Sequence, residues 1–108
     1  MILTEITILP NLLSDFNLMT YSLDCLEVMK FADRIAIIGN HGAITDAAVS
    51  AIMARAALRS AVYNVVVNLK LIKDESYNKE MYDKLEAMQK VAEDLEKTTL
   101  ATTDEVLG

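Results

Sequence analysis

The sequence predicts an all-α fold of three long helices around a central buried helix, assembled as an oligomeric helical bundle. Three observations carry that expectation. Hydrophobic residues make up 53% of the 108 positions, too many for a disordered segment. Three Gly and one Pro leave little punctuation for a strand-and-turn fold. The stretch from Ile44 to Ile72 reads as one helix with almost no polar side, since Arg55 and Arg59 are its only charges between Ala47 and Leu69.

Such a helix needs cover on every side. At 1.5 Å per residue it is roughly 40 Å long, more than two other helices of one 108-residue chain readily wrap. A homo-oligomer, a dimer or higher, is the expected partner state. A membrane span is the competing reading of so apolar a run. The two arginines, followed by Asn64 and Asn68, argue against it, because each is costly in lipid.

Residues 1–13 read as an irregular or apolar arm, because Pro10 argues against a helix running through them. The helical domain is expected over residues 14–108. Its first helix is placed from about Asp15, capped by Ser14, to Ile38, with Gly39 ending it. Thr20, Asp24, Glu27 and Arg34 fall near one face, and Leu18, Cys25, Leu26, Met29, Ala32, Ile35 and Ala36 fall toward the other.

Asn40, His41, Gly42 and Ala43 read as a tight connection. Thr45 then suits the N-cap of the central helix, with Asp46 in its first turn and Lys70 and Lys73 near its far end. Asp74 or Ser76 is the expected cap of a third helix running from about Tyr77 to Leu100. There Met81, Leu85, Met88, Ala92 and Leu95 alternate steps of four and three, a seam for a partner helix. The Lys and Glu residues between them form a solvated outer face, and the tail from Ala101 is expected to fray.

A net charge of -6 with no basic stripe argues against a nucleic-acid partner. Cys25 has no second cysteine to bridge, and no basic residue precedes Lys30, so the expected compartment is the cytoplasm. No metal-ligand cluster, phosphate-cradling glycine loop or nucleophile paired with a histidine appears by spacing. No metal is therefore expected.

The polar residues of the central helix are the informative ones. Asp46, Ser50, Ser60, Asn64 and Asn68 share one stripe at helical spacing. Asp46 and Asn64 are nevertheless about five turns, or roughly 27 Å, apart. Either they serve different layers, or an antiparallel neighbour brings the Asp46 end of one copy toward the Asn64 end of another. Arg55 and Arg59 either pair with acidic residues of neighbouring helices or face an anionic ligand.

Residues 39–74 resemble the C-terminal part of the cyclodeaminase/cyclohydrolase family of folate enzymes. The resemblance rests on Gly39-Asn40, on Thr45-Asp46 opening an Ala-rich helix, on Ala57-Leu58-Arg59-Ser60, and on Asn64-Val65-Val66-Val67-Asn68-Leu69. It extends over about residues 18–100. Ala48 and Ser60 stand where the family usually has glycine, Val66 where it usually has arginine, and the family's glycine-rich N-terminal half has no counterpart here.

The resemblance implies a folate-dependent one-carbon enzyme or part of one, of the methenyltetrahydrofolate cyclohydrolase or formimidoyltetrahydrofolate cyclodeaminase type. A tetrahydrofolate derivative would be the substrate. Asp46 would be the catalytic acid or base, and Asn40, Arg59, Asn64 and Asn68 the substrate-binding residues. A separately encoded glycine-rich half would be a further partner. The alternative is a non-catalytic helical assembly unit that lacks the folate loop.

Overall fold

The computed structural model describes the backbone of residues 2–38 and 41–108 and the side chains of 17–38 and 41–108. It consists of α1 (Ile2–Ile38), α2 (His41–Leu69) and α3 (Glu75–Leu107), with no strand among the described residues. The three form an elongated bundle of 61 × 18 × 15 Å.

Helix α1 begins at Ile2, not near Asp15. Pro10 lies inside it, where the missing N–H removes one amide donor and the helix continues across that lost bond. The arm expected over 1–13 is thus helical backbone from Ile2 onward. The expected stop at Gly39 and the site residue Asn40 lie outside the described residues. From Ser22 onward the buried stripe is Ser22, Cys25, Leu26, Met29, Ala32 and Ala36, while Ile35 is 41% exposed. Ser22 turns its hydroxyl back to the Leu18 carbonyl at 2.8 Å, which lets a polar side chain sit at 0% exposure.

Helix α2 starts at His41, so His41, Gly42 and Ala43 belong to its first turn rather than to a loop. Thr45 is consequently not an N-cap. Its Oγ1 donates back to the Gly42 carbonyl at 3.0 Å, as an in-helix threonine does, and Asp46 falls beyond the first turn. At the other end the chain tightens, with Leu71 N–H donating to Asn68 O and Ile72 N–H to Leu69 O at 3.0 and 3.2 Å. Asn78 closes that end: its Nδ2 donates to the carbonyls of Leu69 (3.2 Å) and Ile72 (2.8 Å). A side chain of α3 thereby gives Leu69 O a second donor beside the Ile72 amide and binds the Ile72 carbonyl in the connection.

Helix α3 is capped by Asp74, whose Oδ1 accepts from Tyr77 N–H at 3.0 Å. The seam Met81, Leu85, Met88 and Ala92 is buried as the spacing predicts, with Leu95 packed against it. The tail does not fray within these bounds: the seam continues through Thr99 and Thr103, and the helix runs to Leu107. Thr103 satisfies its hydroxyl on the Thr99 carbonyl at 2.8 Å. On the outer face, Lys79–Asp83 (2.9 Å) and Lys84–Glu80 (3.3 Å) are solvent-exposed pairs of the kind that contribute little.

The core has two parts. Met29, Leu58, Val65, Leu69 and Leu85 anchor a three-helix cluster. Ala32, Ala36, Ile44, Ala47 and Ala51 form a second, where small side chains let α1 and α2 approach closely beside their connection.

Candidate functional site

Helix α2 presents three flanks, and each meets a different environment. One side packs into the core through Ala47, Ala51, Ala54, Leu58 and Val65. A second borders α1, where two adjoining hollows of about 290 and 440 Å³ share Val28 and Ser50 in their walls. The third faces away from both neighbours.

Asp46 lines the smaller hollow. Val28, Phe31 and Ile35 of α1 form its apolar wall, with Ala47 and Ser50 of α2 opposite. The carboxylate is exposed at the edge of the hollow, and Phe31 beside it is 61% exposed. A carboxylate at the edge of an apolar recess can accept a proton from a bound water or stand against a planar cation.

The other sequence-predicted residues are not gathered there. Asn64 is exposed, and its Nδ2 donates to the Ser60 carbonyl of its own helix at 3.2 Å. Asn68 is half-buried near the far end of α2. Arg59 is exposed and, five positions from Asn64, lies about 140° around the helix from it. Within one chain, therefore, Asp46 sits with Ser50 and the α1 wall, at one end of a helix whose other end carries Asn64 and Asn68.

Arg55 is better placed than Arg59 to meet acidic groups. It lines the groove between α2 and α3 together with Glu86 and Glu93, and its Nη1 is buried without a hydrogen-bond partner among the described residues. A third groove, of about 750 Å³ between α1 and α3, is walled mainly by Leu23, Met81 and Met88 and carries no carboxylate. Cys25 packs in the core, and burial raises its thiol pKa above the ordinary value. Among the described residues no three His, Cys, Asp or Glu side chains gather to hold a metal ion, and no helix is long and apolar enough to cross a membrane.

Of the α1 wall, the sequence places Ile35 on the apolar stripe and gives Val28 and Phe31 no role. Its signal is a second apolar spacing, Val28, Phe31 and Ile35, running beside the buried stripe on a face that would otherwise be polar.

The family described as formiminotransferase-cyclodeaminase matches residues 18–101, a span that contains the described part of α1 from Leu18, all of α2 and most of α3. The chain belongs to the formiminotransferase-cyclodeaminase family. The match contains Gly39-Asn40, Thr45-Asp46, Ala57-Leu58-Arg59-Ser60 and the run from Asn64 to Leu69. A methenyltetrahydrofolate cyclohydrolase of Methylorubrum extorquens is 41% identical over 64 residues, 59% of this chain and 31% of that protein. The chain thus spans about a third of the length of the curated relative it matches. No solved structure matches. The family match over residues 18–101 of this chain includes Asp46, Arg59, Asn64 and Asn68 together with the α1 wall of the hollow.

Proposed function

We propose that this chain supplies the long-helix wall of a one-carbon tetrahydrofolate site, of the cyclohydrolase or cyclodeaminase type, with Asp46 as its acid/base group. The observation that carries the proposal is the family match across a helix whose Asp46 carboxylate borders an apolar recess. In the cyclohydrolase reaction water adds to the cationic methenyl carbon, and one carbon–nitrogen bond of the bridge then breaks to leave a formyl group and release a proton. In the cyclodeaminase reaction the secondary amine outside the ring closes on the formimino carbon carried by the ring nitrogen, and ammonia leaves to give the methenyl bridge.

Both reactions pass a cationic amidine-like centre and need a proton moved beside it. Asp46 accepts that proton or stabilises that charge, while Phe31 and Val28 offer an apolar surface to a flat heterocycle. Asn64 and Asn68 contribute as substrate-binding residues from a second copy, since within one chain they are too far from Asp46. Arg59 meets the carboxylate of a glutamate tail. We place the reaction in the cytoplasm, where a lone thiol such as Cys25 stays reduced.

The reading is tested by following methenyltetrahydrofolate hydrolysis and formimino-group ammonia release with the assembled wild-type protein and its Asp46→Asn variant. A fall in turnover of at least about a hundredfold is expected, the usual contribution of a positioned acid/base. Full activity in Asp46→Asn sinks the assignment.

A second reading is favoured by one observation. Val49, Tyr63 and Val67 on the third flank of α2 are each more than half exposed, as an assembly surface would be in an isolated chain. On this reading the chain is a non-catalytic helical unit, or one subunit of a split enzyme whose glycine-rich half is a separate polypeptide. Calorimetric binding of a folate analogue separates the first from a purely structural role. Co-purification with a small glycine-rich chain favours the split enzyme.

A further inference from the structure

Arg55 carries a charged donor that the fold leaves unanswered. Its Nη1 is buried with no hydrogen-bond partner among the described residues, and neither Glu86 nor Glu93 of the same groove forms an ion pair with it. Taking a cation out of water without an acceptor is costly, so the group marks a place where an acceptor belongs. Lys90, the other cation of that wall, is already paired with Asp94 at 3.7 Å.

The groove is layered. Helices α2 and α3 run antiparallel across a short connection, and the bond from Asn78 to the Leu69 carbonyl fixes their register. Counting back from Leu69 and forward from Asn78 at equal rise, Arg55 comes level with Glu93, Val62 with Leu85, and Val66 with Tyr82. An unpaired cation and an unpaired carboxylate therefore stand at one end of a trough of about 470 Å³. Val62 and Leu85, 8 and 2% exposed, make its floor, and Tyr82 stands at its far end.

We propose that this groove binds an α-amino acid with a large apolar side chain. The ligand carboxylate accepts from Arg55 Nη1, and its ammonium donates to Glu93. The side chain lies along Val62 and Leu85 toward Tyr82, against which an aromatic ring packs. A plain anion is disfavoured, because Glu86 and Glu93 hold the rim negative in a chain of net charge -6. A plain amine leaves Arg55 as unpartnered as before. A zwitterion answers both charges from neighbouring atoms.

The site is separate from the Asp46 recess. Asp46 precedes Arg55 by nine residues, which puts the two on opposite sides of α2, so the proposal does not depend on the folate reading.

Calorimetric titration of the wild-type chain with L-phenylalanine, phenylpropionate, phenylethylamine and L-alanine tests it. Saturable binding of phenylalanine is expected with a Kd at or below about 1 mM, a range open to a ligand of that size. Phenylpropionate and phenylethylamine, each lacking one charge, are expected to bind at least about tenfold more weakly. L-Alanine, with both charges and no ring, is expected to weaken by a similar factor. Arg55→Met, which keeps the stem of the side chain, and Glu93→Gln are each expected to raise the phenylalanine Kd at least about tenfold.

Phenylpropionate binding as tightly as phenylalanine, or an unchanged Kd in Glu93→Gln, overturns the proposal. So does a flat phenylalanine titration at about 10 mM, and a lower unfolding midpoint in both Arg55→Met and Glu93→Gln then identifies a plain ion pair across the groove. The ligand series is read on the wild-type chain, so it decides even where a variant fails to fold.

Discussion

Thr99 donates its hydroxyl to Asp33 Oδ1 at 3.1 Å, joining α1 to α3 through side chains 66 positions apart in sequence. Thr99 is fully buried and Asp33 half-buried, so the bond fixes the rotation of α3 where the apolar seam has thinned. Replacing Thr99 with Val keeps the shape and removes the donor. A loss of about 1 kcal/mol is expected. Thermal unfolding checks it: the midpoint falls by roughly 4–8 °C for a domain of this size.

Asn78 ties the end of α2 and the connection after it to α3. Its amide holds two carbonyls, so Asn78→Ala takes that donor from the Ile72 carbonyl and leaves Leu69 O with the Ile72 amide alone, at a cost of about 1 kcal/mol. Asn78→Asp is expected to be worse than Ala. A carboxylate has nearly the same shape but cannot donate when ionised, and it faces the negative pole of the helix. Denaturant unfolding of the two variants side by side decides the order.

Cys25 gives a pH prediction. Burial is the main cause of its raised thiol pKa, reinforced by the Asp24 charge and opposed by the Tyr21 hydroxyl. A raised folded-state value means the neutral thiol is favoured by folding. Stability attributable to it is therefore intact below the ordinary thiol pKa and is lost as pH rises from there through the folded-state value. Alkylation by iodoacetamide at neutral pH is expected to be slow in the folded protein and fast in denaturant. Equal rates in both would contradict this placement.

The legible part of the fold was the part written in apolar periodicity. Met81, Leu85, Met88 and Ala92 announce their seam because each is apolar at a step of four or three, and Asp74 announces a cap because a short carboxylate precedes a helical run. The less legible parts share one physical cause: polar groups that satisfy themselves locally. Thr45 bonds Gly42 and Thr103 bonds Thr99, so a residue that looks like a cap or a tail sits inside a helix. Pro10 misled for a related reason, since a long helix tolerates one missing donor. For the site, Asp46 was legible as a lone carboxylate in an apolar helix. Its recess was not, because Val28 and Phe31 come from α1 and only the packing of two helices sets them beside Asp46.

Calorimetric titration of the assembled protein with a tetrahydrofolate analogue tests most directly whether this chain presents a folate surface built on α2. Saturable heat is predicted, weakened when Phe31→Ala removes the apolar wall beside Asp46. A flat titration at millimolar ligand, from protein that sediments as a folded oligomer, would contradict it.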